Sequence, residues 1–325
     1  MATTPILLLS LPRSGSTLVQ RVLGSHRGVA TASEPWLLLS LLLSLRDDIP
    51  APGAWQPQIH AALGDFAGVL PGGAADYERA AGAAATRLYE EAAAGAPFFL
   101  DKTPPYFLVV DEIVRALPEA RIVVLWRNPL AVLASVVETF CGGRWRPQDY
   151  PTSLFGGLAR LAAAVHRYPE RIHAVRYEDL VAGERAPWER LTAFLGLEFE
   201  PASLERFSQL SLNGAMGDKS GVRAYTGLAV EPSEKWRATI DNPVRRAWAR
   251  RYLEWIGAER LALMGYDLGR LRAELDGNGT KLAGSGRDAA EALASIGRDA
   301  LKARLGGGAP SAWPALLAPS PGGRR

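Results

Sequence analysis

The segment that most constrains this chain lies at its start. Pro5-Ile6-Leu7-Leu8-Leu9-Ser10-Leu11 is short, almost wholly apolar and closed by Pro12. A strand without polar alternation belongs in the middle of a parallel sheet, covered by helices on each face. The turn Arg13-Ser14-Gly15-Ser16 follows, and then Thr17 to Leu23 places Leu18, Val22 and Leu23 at helical spacing. A strand that turns through glycine into a helix presents backbone N–H groups to an anion. Arg13 adds a full positive charge, Ser14, Ser16 and Thr17 add hydroxyl donors, and Gly15 allows close backbone approach. An ordinary strand–helix turn is the alternative. The turn is not a Walker A loop, in which Lys directly follows the second glycine. Here the basic residue lies two positions before Gly15 and no Lys follows it, which argues against ATP or GTP hydrolysis.

The rest of the chain repeats the alternation. Helical patterns run over 54–70 and 75–94, a short strand over Pro97-Phe98-Phe99-Leu100, and a helix over 106–117. A third strand is predicted at Arg121 to Trp126. Asn128-Pro129 then opens a helix to about Phe140, with Asn128 as N-cap and Pro129 in the first turn. A fourth strand at Arg171 to Arg176 and a helix at 187–195 follow. Strands alternating with helices predict a doubly wound α/β fold with helices on both faces of a parallel sheet. Ligands in such folds sit at the carboxyl ends of the strands. A main domain over 1–270 is expected, with 271–325 as an appendage. Its first part, to 305, is weakly helical, with Ala289, Leu293, Ile296 and Ala300 on one face, and 306–325 has the composition of a disordered tail.

Charge and cysteine content narrow the function classes. With 37 Lys and Arg against 34 Asp and Glu, the net charge of +3 does not suit a nucleic-acid binder and suits a local pocket for a small anion. Cys141 is the only cysteine, so no intrachain disulfide can form, which favours a reducing, cytoplasmic setting. No secretory signal is visible, because the run Ile6 to Leu9 has no basic residue before it. The run Trp36 to Leu45 is half the length of a membrane span and reads as a buried core helix.

The phosphate turn and the motifs that follow it resemble those of a known family. Pro12-Arg13-Ser14-Gly15-Ser16-Thr17 resembles the 5'-phosphosulfate loop of sulfotransferases that use PAPS (3'-phosphoadenosine 5'-phosphosulfate). It is most similar to the branch holding tyrosylprotein sulfotransferases and many bacterial enzymes, and the high Ala, Gly and Arg content also suits a GC-rich bacterial source. Arg127-Asn128-Pro129, with Ser135 eight residues after Arg127, resembles the family's 3'-phosphate site. A phosphate near dianionic charge suits a guanidinium fork, although a strand-end ion pair and a packed Ser give the bland reading. Tyr177 matches an aromatic that contacts the nucleotide in the family, or else packs on the core. Ser220 stands fifteen residues before Lys235-Trp236, as in the tyrosylprotein branch, where the Ser stabilises the transferring group and the Lys meets the 5' side of the nucleotide. Met264-Gly265-Tyr266-Asp267 resembles the end of the family's domain.

The resemblance also implies catalytic roles. Glu34 lies 21 residues after Arg13, the spacing of the base in that branch; it could instead cap the helix after Pro35. A carboxylate serving as base calls for a desolvated setting. Lys102, in Leu100-Asp101-Lys102-Thr103, is expected to stabilise the transition state, and Arg13 to neutralise the leaving phosphate. His26, His60, His166 and His173 do not stand where the base is expected, and no cluster has metal-ligand spacing. The expected reaction is sulfuryl transfer to a small-molecule, sugar or peptide acceptor, with PAPS as donor and no metal. A small-molecule kinase and a non-catalytic nucleotide-binding protein are the competing readings. Where the branch carries a further Arg, this chain has Thr139, which leaves Arg144 or Arg146 to supply the charge. Trp36, Trp55, Tyr106 and Trp145 are candidates to stack on an acceptor, with core packing the alternative.

Overall fold

The computed structural model describes residues 3–46, 56–212, 234–279, 281–291 and 294. They divide into two compact units. The first takes the described residues up to Trp126 and those of 160–212; the second takes 127–159 and those from 234 onward.

The first unit is built on five parallel strands: β1 Thr4–Ser10, β2 Val29–Thr31, β3 Phe98–Asp101, β4 Arg121–Trp126 and β5 Ile172–Arg176, in the order β2-β3-β1-β4-β5. The apolar run at the start of the chain is the central strand, and Ile6, Leu7, Leu8 and Leu9 are wholly buried. Burying each such side chain stabilises the fold by about 1.5–3 kcal/mol. The alternation along β1 feeds two layers. Ile6 and Leu8 pack with Leu18, Val19 and Val22 of α1 (Ser16–Gly24), and with Leu180, Trp188 and Leu191 of α8 (Tyr177–Val181) and α9 (Ala186–Leu195). The other face is covered by α4 (Ala74–Ala93), which contacts β1 and β3 and packs on α5 (Val110–Ala116). The remaining helices of this unit are α2 Leu37–Leu42, α3 Gln56–Gly68 and α10 Ser203–Arg206, while α7 Leu158–Arg167 spans the division between the units.

Two elements differ from expectation. β2 is three residues long, too short to carry a readable pattern. The helix expected over 106–117 begins as a 3-10 turn, Pro104–Val109, and becomes α-helical only at Val110. Pro104 and Pro105 bring no backbone N–H to that start. The run Trp36 to Leu45 is helical in two short pieces, α2 and the 3-10 turn Leu43–Leu45, with Leu38, Leu39 and Leu42 buried.

The second unit opens with α6, Pro129–Phe140, capped as expected by the Asn128 side chain, which accepts from Leu130 N–H at 2.9 Å. α11 (Trp236–Thr239) packs against α6. α12 (Pro243–Leu263) is capped by Asn242 and broken at Gly257, whose φ of 79° and ψ of 161° are not helical. Trp145, Phe155, Trp248 and Tyr252 form an aromatic cluster beside it. α13 (Leu268–Asp276) packs on α12, and the boundary expected near residue 270 falls inside it. Further on, the wholly buried Asp288 accepts from Arg245 Nε at 2.6 Å and from Asn242 Nδ2 at 2.7 Å. Leu293, Ile296, Ala300 and 306–325 lie outside the described residues.

Candidate active site

The carboxyl ends of β1, β2 and β3 lie side by side, with Leu7 opposite Asp101 and Thr31 opposite Leu100. Three segments therefore leave one edge of the sheet together: the turn after β1, the Ser33-Glu34 segment after β2, and Lys102-Thr103 after β3. That edge, where the chain order reverses around β1, is where parallel α/β sheets bind ligands.

The turn after β1 has the conformation of an anion cradle. Arg13 (φ 69°) and Gly15 (φ 87°) are both left-handed, and Gly15 is the N-cap of α1. The N–H groups of Ser16 and Thr17 open that helix, where no earlier turn can accept from them. Ser14, Ser16 and Thr17 are buried, and Arg13 and Gly15 are half-buried. Glycine is required at position 15 on packing grounds as well. A Cβ there would stand 2.3 Å from Cε2 of Tyr177, whose buried ring comes from the segment after β5 and lies directly on the turn.

Opposite this turn the sequence candidates Glu34 and Lys102 meet. Lys102 Nζ donates to Glu34 Oε1 at 2.6 Å and to Thr17 Oγ1 at 3.4 Å. The Lys102 side chain is almost wholly buried and that of Glu34 is 11% exposed. The pair joins the base candidate to the phosphate turn through one ammonium group. Trp36 Nε1 donates to Glu34 Oε2 at 3.3 Å. Glu34 thus does not cap α2, whose N-cap is Trp36 with no side-chain cap.

What holds Glu34 in place was not read from the sequence. On one side, buried Gln20 of α1 donates to Thr31 Oγ1 at 2.9 Å and to the Ala32 carbonyl at 2.7 Å. On the other, Thr103 Oγ1 accepts from Trp36 N–H at 3.3 Å and Tyr106 Oη accepts from Leu38 N–H at 3.0 Å. Both hydroxyls donate in turn to Asp101, at 3.0 and 2.7 Å, and Tyr89 donates to the same carboxylate at 2.6 Å. Asp101 is fully buried, and burial pushes its carboxyl above the ordinary range, against the hydroxyls of Tyr89, Tyr106 and Thr103 that hold the charged form. The signal was available: a carboxylate closes an otherwise apolar strand, and a charge in that position needs partners. Tyr106, a stacking candidate, is instead wholly buried in this network, and Trp145 is buried in the second unit's aromatic cluster. Trp36 remains half-buried, and Trp55 lies outside the described residues.

The other candidates belong to the second unit. Arg127 is buried and follows β4 directly, and Ser135 lies half-buried on α6. Lys235 is exposed as N-cap of α11, and Trp236 is wholly buried. Ser220 lies outside the described residues. Thr139 is exposed; Arg144 pairs with Glu291 at 2.6 Å and Arg146 with Asp149. Among the described residues no group of His, Cys, Asp and Glu is gathered as a metal site, and no helix is long and apolar enough to cross a membrane.

A family model described as "Sulfotransferase family" matches residues 5–201, which contain the turn, Glu34, Lys102 and Tyr177. The chain belongs to the sulfotransferase family. Among curated proteins, this family member is 32% identical over 289 residues to nodulation protein NoeE of Sinorhizobium fredii, covering 80% of this chain and 65% of NoeE. It is 26% identical to an uncharacterized Aquifex aeolicus protein, of which it spans 30%. The chain therefore spans less than two thirds of either relative. Two solved structures share the fold. The sulfotransferase domain of the Synechococcus PCC 7002 olefin synthase is 24% identical with a TM-score of 0.51, covering 73% of this chain and 88% of that one. The sulfotransferase domain from the curacin biosynthetic pathway is 20% identical with a TM-score of 0.50, covering 86% and 99%.

Proposed function

We propose that this sulfotransferase-family chain is an enzyme that moves a sulfuryl group from PAPS to a hydroxyl or amine acceptor and releases PAP. The observation that carries the reading is the Glu34–Lys102 pair, 2.6 Å apart and tied to Thr17 of the phosphate turn. The residues at the sheet edge suit the donor's 5' end: helix N–H groups, buried hydroxyls and the Arg13 guanidinium all favour an anion.

PAPS supplies the sulfuryl group and a phosphate leaving group. In our reading the acceptor oxygen or nitrogen forms the new bond to sulfur, the bond from sulfur to the phosphate oxygen breaks, and Glu34 takes the acceptor's proton. Lys102 offsets charge on the sulfuryl oxygens. Arg13 and the N–H groups of Ser16 and Thr17 offset the charge left on the phosphate, the Arg electrostatically because a guanidinium keeps its protons. A loose transfer of this kind is helped mainly by positioned charge. Arg127 and Ser135 are assigned to the 3'-phosphate, Lys235 to the nucleotide's 5' side, Trp236 and Tyr177 to nucleotide contact, and Ser220 to the transferring group. No metal is assigned a role. The acceptor is a small molecule, a sugar or a peptide, and the cytoplasm is the assigned compartment.

Calorimetry of nucleotide binding tests the donor assignment. PAP should bind at least about tenfold more tightly than ADP or AMP without added metal, and Arg127→Ala should cost PAP about 1.5–3 kcal/mol, the worth of hydrogen bonds to charged groups. Equal binding of PAP and ADP would contradict the 3'-phosphate assignment and favour a kinase.

A further inference from the structure

We propose that Asp101 is a positioning residue for Glu34, acting through two hydroxyl relays that fix the backbone on which the base stands; the proposal rests on the sulfuryl-transfer reading above. The hydrogen bonds run in one direction. Trp36 N–H donates to Thr103 Oγ1, which donates to Asp101 Oδ1. Leu38 N–H donates to Tyr106 Oη, which donates to Asp101 Oδ2. A hydroxyl has one proton. While that proton goes to the carboxylate, its lone pairs face the backbone amides. Asp101 thereby sets both hydroxyls as acceptors for the segment that begins two residues after Glu34.

This segment needs such a hold. Trp36 has a φ of 56°, left-handed for a bulky residue, a strained conformation that persists only where surroundings impose it. The strained residue is also the one whose indole donates to Glu34 Oε2. Asp101 itself stands next to Lys102, so one buried group lies behind both members of the pair. Tyr89 is the comparison: its hydroxyl donates to Asp101 Oδ2 at 2.6 Å, the oxygen it shares with Tyr106, but accepts from neither the Trp36 nor the Leu38 amide, which go to Thr103 and Tyr106.

The test compares Thr103→Val, Tyr106→Phe and Tyr89→Phe in the full chain, with Asp101→Asn added if it folds. Each of the three loses one hydroxyl bonded to Asp101, and only the first two break a relay. Amide hydrogen exchange at Trp36 and Leu38 should accelerate in Thr103→Val and Tyr106→Phe and stay at the wild-type rate in Tyr89→Phe. With PAPS varied at fixed acceptor, the first two should lose on the order of 10- to 100-fold in kcat, as misplaced groups do, while KM for PAPS stays within about twofold. Tyr89→Phe should lower Tm and keep its kcat. Equal losses of kcat in all three, or unchanged exchange in the relay variants, would overturn the proposal. If the wild-type chain transfers no sulfuryl group, the functional reading falls, and the exchange rates alone decide whether Asp101 holds the segment.

Discussion

At position 15 the Cβ of any other residue would meet the Tyr177 ring at 2.3 Å, and the backbone φ of 87° is itself unfavourable for a side chain. Gly15→Ala is therefore expected to destabilise the chain by about 1–3 kcal/mol through overpacking and strain. It should also weaken PAP binding, because relief comes only by moving the turn or the ring. Thermal unfolding and calorimetry on one preparation check both; a wild-type Tm with wild-type PAP affinity would contradict the packing. Gly15, Glu34 and Lys102 could be picked out as single residues because their spacing resembles the family's. Gln20 and Thr103 could not, because their importance lies in hydrogen bonds across the sheet edge that no local spacing encodes, whereas Asp101 shows itself only as a charge closing an apolar strand. Tyr106 stands out in the sequence for its ring, yet it is the hydroxyl that has the partners.

Among the elements, β5 and α9 meet through His173 and Phe194, whose rings stack with centroids 4.8 Å apart. Burial, with Arg190 nearby, holds the His173 imidazole below its ordinary range. The folded state thus disfavours the imidazolium more than the unfolded chain does. The stability this His contributes is complete above its unfolded pKa of about 6.5 and is lost as pH falls through the lower folded value. The wild-type Tm should fall more steeply between about pH 7 and about pH 5 than that of His173→Gln. Parallel curves would show that the ring is not shielded. Elements with strong patterns were legible from the sequence: the apolar β1 and β4, and α6 with its Asn128 cap. β2 was not, because three residues carry no period, and the start of the helix after Lys102 was misjudged because two prolines impose a 3-10 turn.

On the scale of the whole molecule, the described residues past 280 make one buried polar contact with the second unit. Asp288 is wholly buried and receives Arg245 through Nε at 2.6 Å and Nη2 at 3.3 Å, while that guanidinium lies 5.3 Å from the Trp145 ring centroid. With burial opposing, the bonds from Arg245 and Asn242 hold the Asp288 carboxyl below its ordinary range. Asp288→Ala leaves the buried guanidinium with only the Thr239 and Gly143 carbonyls to accept from it and should cost about 1.5–3 kcal/mol, the worth of hydrogen bonds to charged groups. Denaturant unfolding read by tryptophan fluorescence would register it, since Trp145 and Trp248 lie in that unit. An unchanged midpoint would mean that the Asp288 contact contributes nothing to the fold. The alternation of strands and helices gave away the sheet and its helical layers, but the composition of 271–291 concealed this contact, because one buried Asp in a polar stretch looks like any solvated one.

The central claim is that Glu34, paired with Lys102 beside the phosphate turn, accepts a proton during sulfuryl transfer. Rapid-quench measurement of labelled sulfate moving from PAPS to a panel of sugars, phenols and peptides tests it most directly, with Glu34→Gln run beside the wild type. Loss of a general base should slow transfer by on the order of 100-fold or more and leave PAP affinity within about twofold. Transfer by Glu34→Gln at the wild-type rate would contradict the account.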